Sequence, residues 1–173
     1  MNMLQELVRK TKRAVELKKC LEQEGSTVHL EQMVGGAYSL YAANSIVKHG
    51  GIHVFVSEDR DRAAYLLNDL YELLDESRVE FFSSGYKRSA AYGAEDAQGV
   101  VRRTSALNAI RGLKRGGYVV LCTWPEALAE LVADADKINR STISLRVGDT
   151  IQISSLVGLL EEAGFVRVDF VYE

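Results

Sequence analysis

Apolar residues recur along the chain in two periods, and the switch between them predicts the order of elements. Leu4, Leu7, Val8, Ala14, Val15 and Leu21 return at helical spacing among lysines and glutamates, and Gly25 follows where a C-terminal cap would sit, which predicts one N-terminal helix. The stretch TVHLEQM, Thr27 to Met33, alternates and is short enough for a strand. Ala37 to His49 then reads as a helix stopped by Gly50 and Gly51. IHVFV is a second predicted strand. Ser57 followed by Glu58 and Asp59 makes a helix start, with a capping hydroxyl and acidic residues at the positive end of the helix dipole. Ala63, Leu66, Leu67, Leu70, Leu73 and Leu74 give that helix its buried stripe. VEFF predicts a third strand, Ser83 to Gln98 a polar loop, and Val100 to Lys114 a helix ending at Gly116 and Gly117. YVVLCT is a fourth strand, apolar throughout as a strand covered on both faces should be.

Strands alternating with glycine-closed helices imply right-handed βαβ units around a mainly parallel sheet, so the predicted fold class is α/β. After Pro125 the pattern changes to a short helix, the stretch ADADKINRS, a strand-like TISLRV, a helix from about Ser154 to Ala163 capped by Gly164, and VRVDFVY. The expected organisation is an N-terminal helix over 1–26, an α/β domain over 27–134 and the start of a second unit over 135–173. The pattern stops on a strand at Glu173, so the chain is expected to be a fragment.

Composition narrows the class. A length of 173 residues with 47% hydrophobic content suits one domain, or one domain plus part of another, with ample core. The formal charge of -3 argues against bulk attraction to a polyanion, though not against a local basic patch. Arg9, Lys10, Lys12, Arg13, Lys18 and Lys19 interrupt any apolar leader, and no stretch approaches membrane-spanning length, so a cytoplasmic protein with no membrane partner is expected. Cys20 sits in a charged helix pattern and Cys122 in an apolar strand, which indicates neither a disulfide nor a metal pair.

The sequence VGGAYSLYAANSIVKHGG, from Val34 to Gly51, has the layout of a nucleotide-binding turn. A phosphate loop needs glycine N–H groups, a lysine that reaches the outer phosphates and a hydroxyl for Mg²⁺. Here Gly35 and Gly36 are followed by Ala37, Tyr38 and Ser39, and the next lysine is Lys48, about three helical turns away. No acidic pair follows the fourth strand. Residues 35–39 are therefore expected to form a degenerate phosphate loop that binds no cofactor. The dinucleotide pattern G-x-G-x-x-G is absent as well. His29, His49 and His53 are too dispersed to predict a zinc site, and Cys122 has no general base near it in sequence. No catalytic residue is assigned.

Basic residues form the remaining candidate surface. Lys87 and Arg88 fall in the polar loop, and Arg102, Arg103, Arg111, Lys114 and Arg115 on the helix after it, where 103, 111, 114 and 115 come roughly to one side. They read either as a stripe that tracks phosphates or contacts a protein, or as a solvated face with cations near the helix C-terminus. Tyr86 and Tyr92 could stack on bases or anchor the loop. Both readings stay open.

The stretches FFSSGYKRSAAYGAEDAQGVVRRTSALNAI, TWPEAL and SLRVGDTIQISSLVGLLEEAGFVRVDFVYE, with the glycine turn, together resemble the N-terminal region of bacterial transcription-repair coupling factors, the Mfd family, from about Val28 to Glu173. These factors share their early domains with the excision-repair protein UvrB. The resemblance implies that residues to about Asp134 form part of a RecA-like domain similar to UvrB domain 1a, and that a UvrA-binding unit similar to UvrB domain 2 begins near Ser141. In UvrB the glycine turn carries the lysine of a working ATP site. In the coupling factors that lysine is lost, as here, and ATP and Mg²⁺ belong to translocase domains further along. UvrB's damage-probing hairpin is not carried over, because Ser83 to Gln98 is too short for it. The implied function is a non-catalytic module that scaffolds recruitment of UvrA to RNA polymerase stalled at DNA lesions. Polymerase and DNA would be contacted by other domains, and most UvrA-contacting residues would lie beyond Glu173. Two other expectations stand beside it: a small α/β nucleotide-binding protein or enzyme that uses Gly35 and Gly36, and weak DNA binding through the basic helix.

Overall fold

The computed structural model describes residues 3–86, 96–132, 145–162 and 168, in two compact units, Met1–Glu130 and Leu131–Glu173. The first is mixed α/β. Its strands β1 (Gly51–Val56), β2 (Val79–Phe81) and β3 (Tyr118–Thr123) form a three-stranded sheet in the order β1-β3-β2. Both pairings are parallel, with Val54 opposite Leu121 and Phe81 opposite Cys122. Around it stand α1 (Met3–Arg9), α2 (Lys12–Leu21), α3 (Ala37–His49), α4 (Arg60–Leu73), α5 (Ala97–Arg111) and α6 (Pro125–Ala129).

Because β3 returns to the middle of the sheet, the path from β1 to β2 and the path from β2 to β3 run in opposite directions. Right-handed crossovers then put α4 and α5 on opposite faces. The two cores agree with that. Ala43 and Ile46 of α3 and Ala63 and Leu70 of α4 pack with Val79, Phe81, Val120 and Cys122, whereas Ala106 of α5 packs with Phe82, Val119 and Leu121. Alternate β3 side chains thus feed opposite cores, which is why YVVLCT is apolar at nearly every position. On the outer strand β1 the alternation is one-sided: Phe55 packs inward, while Ile52, Val54 and Val56 remain about half exposed.

Several boundaries differ from the sequence pattern. The single N-terminal helix is two helices, because Thr11 breaks the run; its hydroxyl accepts the N–H of Ala14 and caps α2. α4 is capped by Asp59, whose carboxylate accepts the Arg62 N–H at 2.8 Å, rather than by Ser57. α5 starts three residues earlier than the pattern predicts, at Ala97, and stops at Arg111, so Lys114 and Arg115 lie past the helix in the turn towards β3.

The predicted strand TVHLEQM is not a strand. Gln32 adopts a left-handed φ of 58°, which ends an extended run, and the segment has no ladder partner. Residues 28–33 instead line a cavity shared with Arg13, Glu16, Leu17 and Cys20 of α2 and Tyr41 of α3. In the second unit, α7 (Ile153–Glu162) matches the predicted helix. Of TISLRV, Leu145 to Val147 are not in a strand and the rest lies outside the described residues, as does VRVDFVY apart from Val168.

Candidate functional site

The glycine turn enters α3 as the spacing predicts, without the strand expected before it. Gly35 has a φ of 57°, the left-handed conformation that favours glycine, and the Ala37 N–H reaches back to the Val34 carbonyl at 3.3 Å. The first turn of α3 then ties the helix to its neighbours. Ser39, buried there, donates its hydroxyl to the Asp69 carboxylate of α4 at 2.6 Å. The Tyr38 ring meets Phe55 of β1 edge-on, with centroids 6.1 Å apart, and burial raises its pKa above the ordinary phenol value. The hydroxyl that a phosphate loop would offer to a metal is thus bound to an acidic side chain on another helix. Lys48 stands near the other end of α3, exposed.

The basic set does not form one surface. Lys87 and Arg88 lie outside the described residues. Arg111 is exposed in the last turn of α5, and Lys114 and Arg115 are exposed in the turn beyond it. Arg103 points inward, which corrects its place in a solvent-facing stripe. It is 8% exposed; its guanidinium donates to the carbonyls of Ser83 at 3.1 Å, Ala127 at 2.7 Å and Glu130 at 2.7 Å. It lies 3.7 Å from the Glu130 carboxylate and over the Phe82 ring, 4.2 Å from its centroid. Burial lowers its pKa, while Glu130 acts in the opposite sense. Sequence spacing placed four cations on one side of a helix; it could not show that one of them meets the end of β2 and the short helix after β3.

That buried arginine braces a crevice that the motifs did not predict. The Glu130 carboxylate accepts the Ser84 hydroxyl and, at 2.9 Å, the Gly85 N–H, so the chain leaving β2 is fastened to the chain leaving β3. Ser83 donates to the Gly99 carbonyl at 3.2 Å, and Gly99 lies so close to Ser84 that a β-carbon there would overlap its carbonyl oxygen. Above this frame is a cavity of about 430 Å³ whose lining includes Arg60, Ser83, Arg102, Trp124, Asp96 and Glu126. Open parallel sheets bind ligands at this position, over the carboxyl ends of strands whose following helices leave to opposite faces. The signal available in the sequence was positional: each lining residue follows a predicted strand or opens a predicted helix.

Among the described residues no group of histidines, cysteines and acids could hold a metal ion. His29 and His53 stand apart, on the segment before α3 and on β1; the His53 ring meets the Gly50 carbonyl at 2.8 Å, and its pKa is lowered mainly by burial. Cys122 is completely buried in β3, and burial pushes its pKa up to about 12, which suits a packing thiol and not a nucleophile. No described helix is long and apolar enough to cross a membrane. No family model, curated protein or solved structure matches the chain significantly.

Proposed function

We propose that this chain is the N-terminal module of a transcription-repair coupling factor, without chemistry of its own, and that it scaffolds the recruitment of UvrA to RNA polymerase stalled at DNA lesions. The family side of the reading rests on the sequence stretches from FFSSGYKRSAAYGAEDAQGVV to VRVDFVYE. In this reading the first unit is part of a RecA-like domain similar to UvrB domain 1a, and the second begins a unit similar to UvrB domain 2. ATP and Mg²⁺ serve translocase domains elsewhere in the parent, which also contact DNA and polymerase; the protein works in the cytoplasm.

One observation carries the non-catalytic part. The first-turn hydroxyl of α3, Ser39, is bound to Asp69, and the first lysine after the glycines is Lys48. A turn with no cation to meet a triphosphate, and with its hydroxyl turned to a neighbouring helix, serves packing. Titration of the isotopically labelled chain with Mg-ATP, followed by NMR at the amides of residues 35–39, tests this. Those amides should stay in place; saturable micromolar shifts there would favour a nucleotide-binding protein instead.

A further inference from the structure

The proposed function assigns no ligand to the crevice over the carboxyl ends of β2 and β3. We propose that it binds a compact phosphate monoester carrying hydroxyl or ammonium groups, with Arg60 and Arg102 holding the phosphate. Arg60 opens α4 and Arg102 lies on α5, helices from opposite faces of the sheet, yet both residues line the one cavity. Both residues are exposed, and neither makes a hydrogen bond or ion pair with a described residue; the Arg102 guanidinium lies 5.8 Å from the centroid of the Phe81 ring. Two further arginines near the sheet are engaged, Arg78 with Asp75 and Arg103 with Glu130. Two arginines that line one cavity and pair with no anion among the described residues form a site for an oxyanion, because the planar fork matches phosphate geometry.

Size and charge narrow the ligand. A volume of about 430 Å³ falls within the range of small-molecule sites. Asp96 and Glu126 also line it. Their carboxylates would repel a continuous polyanion but accept hydrogen bonds from donors on a small ester, which favours a single phosphorylated metabolite over a nucleic-acid strand. The floor is already fixed by the Arg103–Glu130 contacts and the close approach of Gly99 to Ser84, so the ordering that opposes binding is mainly that of the Arg60 and Arg102 side chains.

The test is titration calorimetry of the full chain at low salt with three probes, ribose 5-phosphate, glycerol 3-phosphate and O-phosphoserine, and with ribose as the unphosphorylated control. Arg60→Gln and Arg102→Gln serve as variants; both positions are exposed, so thermal melts should match the parent. At least one ester should bind saturably, ribose should not, and each substitution should weaken binding about tenfold or more. The proposal is overturned if none of the three esters binds saturably by about 10 mM, or if binding is unchanged in both variants. It is also overturned if a single-stranded oligonucleotide, but no monoester, binds in a way that depends on Arg60 and Arg102.

Discussion

Gly99 has no room for a methyl group. Because its position on α5 abuts the Ser84 carbonyl, Gly99→Ala must push the helix off the end of β2, and a loss of about 1–3 kcal/mol in urea unfolding is expected. Arg103 is held more deeply. Its replacement by Met strands three carbonyls and leaves Glu130 facing Ser84 and Gly85 without its counter-charge. The expected cost is about 3–5 kcal/mol, against less than about 0.5 kcal/mol for Arg115→Met, which sits exposed in the turn. Equal small losses for both arginines would show that the buried frame does not act as described. At Cys122, burial raises the pKa to about 12, so the folded state keeps a proton that the unfolded thiol releases near pH 8.5. The unfolded state then binds fewer protons, and stability falls as pH rises from there towards 12. A Cys122→Ser variant, although less stable throughout, should show a shallower fall over that window.

Strands and helices contribute unequally to the two sheet faces. Leu70 on α4 is wholly buried between α3 and the sheet, so Leu70→Ala should cost about 2–5 kcal/mol, whereas Ile52→Ala on the half-exposed side of β1 should cost less than about 1 kcal/mol. Removing the α4 cap with Asp59→Ala should cost about 1 kcal/mol. The elements that sequence pattern located best are those whose period matches a fixed environment. YVVLCT is β3 residue for residue, and Ala37 to His49 is α3, because burial on both faces and glycines at either end leave little choice. The pattern misled where pairing decides the outcome. TVHLEQM alternates like a strand, but a strand needs a ladder, and Val28 to Met33 instead line a cavity with residues of α2 and α3. The crevice stayed hidden for a related reason: parallel order and the central position of β3 bring Ser83, Arg102 and Trp124 together, and neither is written in any local period. The glycine turn was legible as a turn with its missing lysine. The Ser39–Asp69 bond that gives it a structural purpose depends on how α3 meets α4.

At the scale of the molecule, the first unit closes on itself at Glu130, the residue that anchors the chain leaving β2. A chain ending shortly after Glu130 should therefore fold cooperatively with a melting temperature within a few degrees of the parent's. A chain ending before Ala127 loses Glu130 and the Ala127 carbonyl, both partners of Arg103, and should be markedly less stable. Division of labour runs along the same line in the proposed function: a braced α/β unit holds position, and the unit after it begins the recruiting surface. The measurement that tests this most directly is UvrA binding, by biolayer interferometry, to the complete gene product with and without residues 1–173. Because most UvrA-contacting residues are expected beyond Glu173 and this module would hold them in position, the account predicts that removal weakens UvrA capture about tenfold or more while ATP-dependent release of stalled polymerase continues. Unchanged UvrA capture after removal would contradict it.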